Sequence, residues 1–195
     1  MKRLHGLLAA ALVCLGVLAL SACTGGSDAV DTQQQTSYQF TGGNKLGAVT
    51  PAAQREPAGP ASGTLLDGAK FGLAAAKGKV VVLNFWASWC GPCQTETPQF
   101  DLLYRKIKSR GVDFVGIDTK DDKSAAEDFV TTNKISFPIV FDQPGKVALK
   151  LGNIPQLALP FTVLIDKQGK VAAVYIVRLA DRDLQTALDK LLAER

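Results

Sequence analysis

The sequence predicts an α/β domain, a mixed central sheet with helices on both faces, carrying an N-terminal extension. Three observations predict it. Lys79 to Trp86 reads Lys-Val-Val-Val-Leu-Asn-Phe-Trp, an almost unbroken apolar run of the kind buried on both faces of a sheet. Strand-like and helix-like segments then alternate in the order β-α-β-α. Near the C-terminus two strand runs flank Lys167-Gln168-Gly169-Lys170, a hairpin turn with a glycine free to take positive φ, and a last helix follows.

Each element has its own warrant. After Cys90 a helix is expected to about Arg110, because Phe100, Leu103, Tyr104 and Ile107 fall on one face and Gly111 closes it. Val112 to Asp118 is a second strand. Ser124-Ala125-Ala126-Glu127 matches a capping box and starts a helix through about Asn133. Ile139 to Phe141 is a short extended piece, and Lys146 to Leu151 a further helix. Phe161 to Asp166 and Val171 to Val177 are the hairpin strands. Asp183 to Ala193 is the terminal helix, with Leu184, Leu188 and Leu191 turned inward.

The first residues read as an address rather than a fold. Lys2 and Arg3 precede an uncharged apolar run from Leu7 to Leu20, and Leu20-Ser21-Ala22-Cys23 resembles the bacterial lipobox. Residues 1–22 are therefore expected to be a lipoprotein signal peptide and Cys23 the lipidated first residue of the mature chain. An ordinary secretory signal is the plainer alternative. A spanning helix is disfavoured, because the run is shorter than the ~20 residues a bilayer requires. Residues 23–41 read as a flexible tether and 42–62 as a Gly/Pro/Ala-rich extension, leaving 63–195 as the folded domain. Of 195 residues 22 are basic and 18 acidic; losing Lys2 and Arg3 leaves 20 against 18, too even a balance for a nucleic-acid partner. His5 is the sole histidine and lies in the segment expected to be removed.

Chemistry concentrates at Trp89-Cys90-Gly91-Pro92-Cys93, between a strand and a helix. A helix N-terminus offers free N–H groups and partial positive charge, which favour a thiolate at Cys90 and make it the nucleophile. Pro92 fits the first turn, where its missing N–H costs nothing. Two intervening residues let Cys93 meet Cys90 and resolve a mixed disulfide. Two plainer readings compete. Structural zinc needs about four ligands, and the mature chain offers only these two cysteines and the lipidated one, so no metal is expected. A stapling disulfide closing so short a loop is worth roughly 2 kcal/mol.

Val82 to Cys93, with Asp67-Gly68, Gly78-Lys79 and Val163 to Gly169, resembles the TlpA/ResA branch of the thioredoxin superfamily. The resemblance runs from about Gly63 to the C-terminus. It implies a thioredoxin-like fold and an extracytoplasmic disulfide reductase on the cell membrane, without cofactor. It implies disulfide-containing exported proteins as partners, in some members those of cytochrome c maturation, and a membrane thiol donor. In that branch the cysteine pair is followed by x-x-Glu-x-Pro, matched here by Glu96 and Pro98. Asn84 stands where most thioredoxins carry a buried aspartate. With neither that aspartate nor a histidine available, Glu96 is the expected proton acceptor for Cys93; the plainer reading is an exposed first-turn residue favouring the helix dipole. The family's cis-proline maps to Pro160. Leu159 before it, where many relatives have a small residue, is expected to contact substrate, as is Trp89 at the rim.

Other activities fit less well. A peroxiredoxin-like peroxidase usually shows Pro-x-x-x-Thr/Ser-x-x-Cys, whereas Ala87 stands three residues before Cys90. A copper-delivery module on this fold adds a histidine, usually with a wider cysteine spacing.

Overall fold

Val80–Trp86 (β3) organises the molecule because all seven of its side chains are buried. A strand buried on both faces needs neighbours on both edges and cover above and below. Val112–Thr119 (β4) pairs with it in parallel, and Phe161–Ile165 (β6) pairs antiparallel on its other edge. The structure, a computed structural model, describes residues 47–152, 154 and 158–194. The expected signal peptide, Cys23 and the tether lie outside the described residues.

Around β3 the sheet adds Ser62–Leu65 (β1), Lys70–Gly72 (β2), Ile139–Asp142 (β5) and Val171–Tyr175 (β7), in the order β2-β1-β5-β4-β3-β6-β7. Alternate residues of β3 enter opposite layers, as the two-residue strand period requires. Val80, Val82 and Trp86 join Phe100, Leu103 and Ile107 of the helix Gly91–Ile107 (α1), and Leu184, Leu188 and Leu191 of the terminal helix Asp181–Ala193. Val81, Leu83 and Phe85 join Val147 and Leu151 of the short helix Lys146–Leu151 on the other face. There Phe85 stacks on Phe161 with ring centroids 4.1 Å apart. The helices in chain order are α1, Lys123–Thr132 (α2), Lys146–Leu151 (α3) and Asp181–Ala193 (α4). The mixed sheet with helices on both faces is the architecture expected from the sequence.

Several boundaries differ for physical reasons. The N-cap of α2 is Asp122, whose carboxylate accepts the Ser124 N–H at 2.9 Å, so the expected capping box at Ser124 does not form. Strand β7 stops at Tyr175 rather than Val177; Val177 and Arg178 are exposed, and the chain then brings the Leu179 N–H to Glu96. The β1–β2 hairpin was not expected. It is short, only half-buried, and turned by Asp67-Gly68, with Gly68 at φ 90°.

The chain ahead of β1 runs along the exposed edge of β7. The N–H of Gly47 bonds to Val174 O, that of Thr50 to Ala172 O, and that of Val171 to Glu56 O. This covering closes a sheet edge that would otherwise offer unpaired backbone groups. Arg55 fastens it. Its buried guanidinium donates to Thr50 O at 2.8 Å, to Asp166 at 3.0 Å and to both oxygens of Glu194. Removing one member of a buried ion-pair cluster leaves the others uncompensated, at a cost of about 3–5 kcal/mol. Arg55→Ala is therefore expected to lower the unfolding free energy by about 3 kcal/mol. Chemical denaturation at pH 7 checks this, and a loss below 1 kcal/mol would show that the segment is held by its backbone bonds alone.

Candidate active site at the end of the central strand

Strand β3 delivers Ala87, Ser88 and Trp89 directly to the start of α1, and Cys90 is the N-cap of that helix. Its Sγ accepts the Cys93 N–H at 3.3 Å. Cys90 and Cys93 are joined as a disulfide, with Cα atoms 5.2 Å apart. Cys90 keeps 5% of its surface exposed and Cys93 none, so only Cys90 presents an edge to a partner. When the disulfide opens, the N–H groups of the first turn face the Cys90 sulfur and favour its thiolate. Pro92 occupies that first turn, and Gly91 is exposed, with open space where a Cβ would stand.

The strand register brings a second segment to the same place. Phe85 pairs with Phe161, so Pro160, one residue before β6, lies level with the end of β3. The Leu159–Pro160 bond is cis, Pro160 is buried and Leu159 half-buried. Trp89 is 61% exposed, although its indole N–H donates to Lys120 O at 3.0 Å. A large ring on the surface, hydrogen-bonded at its polar edge, presents an apolar face beside the sulfur.

Beneath the disulfide lies a buried carboxyl. Glu96, fully enclosed, is one turn along α1 from Cys93, so the two share a face. Its Oε2 accepts from Asn84 Nδ2 at 2.9 Å and its Oε1 from the Leu179 N–H at 2.5 Å. The Asn84 amide also reaches Thr162 Oγ1 at 3.3 Å. Burial pushes the Glu96 carboxyl up to about 7, although its bonds to Leu179 and Asn84 and the charge of Arg178 pull the other way. A group titrating near neutrality can take a proton and return it.

Three functional contacts escaped sequence reading. The Leu179 N–H comes from the turn after β7, more than eighty residues away in sequence. Ser88 is gripped by Asp121, which accepts from both its N–H and its hydroxyl. Asp118, at the carboxyl end of β4, is completely buried, with no donor to either oxygen. Its place is the signal that could have drawn notice, since the carboxyl ends of parallel strands border the crevice of such sheets.

A family model described as Redoxin matches residues 41–191. The chain belongs to the redoxin family. This redoxin is 42% identical over 108 residues to a thiol-disulfide oxidoreductase ResA of Bacillus thuringiensis, an alignment that takes in 55% of this chain and 61% of that protein. It thus spans less than two thirds of that relative's length. To the ResA of Bacillus anthracis it is 38% identical over 128 residues, 66% of this chain and 72% of the relative. Among solved structures, a DsbF homologue from Corynebacterium diphtheriae superposes with a TM-score of 0.70 at 34% identity, covering 74% of this chain and 92% of that one. A secreted thiol-disulfide isomerase from Corynebacterium glutamicum gives 0.71 at 29%, covering 75% and 92%.

The Glu96 carboxyl makes the redoxin's stability depend on pH. Its ordinary value is 4.5 and its native value about 7, so between those limits the folded state binds more proton than the unfolded state. Stability therefore falls as pH rises through that window and levels off above it. Glu96→Gln keeps an acceptor for Leu179, and a half-turn of the Asn84 amide would bring its otherwise unpartnered Oδ1 to the new amide group. The variant is expected to lose that slope and to gain on wild type by on the order of 2–3 kcal/mol between pH 4.5 and pH 8. Unfolding curves across that range check it; parallel curves for the two proteins would show that Glu96 is ionised throughout.

Proposed function

We propose that this protein is an extracytoplasmic, membrane-anchored thiol–disulfide oxidoreductase that reduces disulfides in exported proteins through Cys90 and Cys93. The single observation that carries this reading is the cysteine pair at the amino end of α1, with Cys90 alone at the surface. The names of the ResA relatives support the reaction class. In the dithiol form, Cys90 thiolate attacks one sulfur of a substrate disulfide. The Cys90–substrate bond forms as the substrate bond breaks, releasing one substrate thiolate. Cys93 then gives its proton to the Glu96 carboxylate and attacks Cys90 Sγ. The intramolecular disulfide forms, the second substrate thiolate leaves, and two electrons have passed to the substrate. A membrane thiol donor restores the dithiol. Trp89 offers the apolar face, and the backbone before cis-Pro160, at Leu159, pairs with an extended substrate segment. Exported proteins bearing paired cysteines, such as those of cytochrome c maturation, are the substrate class implied by resemblance to ResA.

Reduction of insulin by the dithiol protein is expected in wild type and lost in Cys90→Ser. Cys93→Ser is expected to accumulate a mixed disulfide on Cys90, identifiable by mass spectrometry after capture from the cell envelope. Peroxide consumption without insulin reduction would overturn this reading in favour of a peroxidase, and tight copper binding with no exchange would favour metal delivery.

The anchor is carried by the lipobox reading at Cys23. Cys23→Ser is expected to move the protein from the membrane to the soluble fraction while leaving insulin reduction unchanged. Retention of palmitate label in that variant would refute the assignment.

A further inference from the structure

Asp118, the last residue but one of β4, stands opposite Trp86 of β3, so its side chain enters the layer that also holds Trp86, Cys90 and Cys93. Two other carboxyl groups act on it. Asp121, in the loop after β4, and Asp142, at the end of β5, both bear on Asp118. They are not equivalent. Asp121 accepts from the Ser88 N–H, from Ser88 Oγ at 3.0 Å and from the Asp122 N–H at 2.8 Å. Asp142 accepts from the N–H groups of Lys146 at 2.9 Å and Val147 at 2.7 Å. Asp118 has no N–H or O–H directed at either oxygen, and none of its surface is exposed.

Chemistry decides where a proton goes in such a cluster. A carboxylate with several donors holds its charge readily, whereas a buried carboxylate with none does not. The Asp121 carboxyl bears directly on that of Asp118, and two carboxyl groups can be bonded to each other only when one of them is protonated. The donors on Asp121 leave Asp118 as the holder. Among the described residues no cation is seen to compensate: Lys120 and Lys146 are exposed, and Lys123 pairs with Glu127 on the open face of α2.

We propose that Asp118 is a positioning residue that keeps one proton shared with Asp121, and that this proton fixes the Ser88–Trp89 segment beside Cys90 for disulfide exchange. Asp121 acts on the Asp118 carboxyl, accepts two bonds from Ser88, and adjoins Lys120, whose carbonyl accepts the Trp89 indole N–H. Burial, then contact with Asp121, pushes the Asp118 carboxyl up to about 8. Below that pH the neutral acid donates to Asp121. Above it two anions face each other, and Asp121, in the loop, recoils with Ser88. The proposal deepens the oxidoreductase reading and rests on it.

The test uses the oxidised protein and glutathione, whose thiolate attacks Cys90 Sγ, forming the mixed disulfide and releasing Cys93 thiolate. Rates are expressed per glutathione thiolate ion, so that ionisation of the probe cancels. A single group with its midpoint near 8 loses on the order of tenfold of its protonated fraction between pH 7 and pH 9. Wild type is expected to slow by about that factor over this interval. Asp118→Asn, whose amide donates to Asp121 at every pH, is expected to keep its pH 9 to pH 7 ratio within about twofold; this contrast follows from the donor chemistry of the amide. Glu96 titrates in both proteins and cancels from the comparison. Carbon-13 NMR of wild-type aspartate carboxyls gives an independent reading, with one signal expected to titrate near pH 8 and to vanish in Asp118→Asn. Equal rate ratios in wild type and variant, or an Asp118 signal titrating below pH 6, would overturn the proposal. Neither readout needs a protein substrate, so failure here is separable from failure to reduce insulin.

Discussion

A thiolate chemistry site of this kind requires a helix N-terminus held without slack, because the N–H groups that favour the anion act only over the first turn. Here the fixing comes from β3. Every side chain of that strand is buried, and both edges are paired, so its end cannot drift. Only three residues separate it from Cys90, and each is held: Ala87 O accepts the Cys90 N–H, Ser88 is bonded to Asp121, and Trp89 to Lys120. The antiparallel partner β6 is set by the same strand, which places Pro160 level with the end of β3 without any contact of its own needing to specify it. The geometry of the site is thus a consequence of packing at the centre of the sheet.

Two buried carboxyl groups lie near the end of β3, Glu96 bonded to Asn84 and Asp118 opposite Trp86, and both are pushed upward by burial. A permanently charged carboxylate below a thiolate would raise the energy of that anion. A neutral acid does not, yet it can still donate a hydrogen bond or surrender a proton. Glu96 and Asp118 differ in what surrounds them. Glu96 receives two bonds from neutral donors, which moderate its shift and suit it to proton exchange. Asp118 receives none and has the Asp121 carboxyl beside it, which suits it to keeping its proton.

What the sequence disclosed followed local pattern. The β3 run, the apolar stripe of α1 and the β6–β7 hairpin were legible because their periodicity and turn residues lie within a few positions of one another. The redox pair was legible for the same reason, its chemistry being set by five consecutive residues. The β1–β2 hairpin was obscure because strands of three and four residues carry too little alternation to register. The cap of α2 went to Asp122 over Ser124 because a carboxylate two residues earlier accepts the Ser124 N–H and starts the helix there. Arg55 and Asp118 were obscure for another reason. Their partners lie far away in sequence or belong to loops, and charged residues are expected at the surface until the tertiary fold encloses them.

The presence of Asn84 follows from this arrangement. An aspartate at that position would set a second carboxylate against Glu96 Oε2, where an amide now donates at 2.9 Å. Two buried carboxyls there would have to share a proton, and one would be held neutral well above physiological pH. Glu96 could not then serve as an acceptor near neutrality, because its partner's charge would dictate its state. Asparagine supplies the donor without the charge and leaves Glu96 with no second carboxyl bonded to it. Opposite Trp86 the other choice is made: Asp118 and Asp121 are both acids, and the proton they share is structural. The same element, two carboxyl-bearing positions around one strand end, is thus used once with an amide to free a proton and once with an acid to retain it.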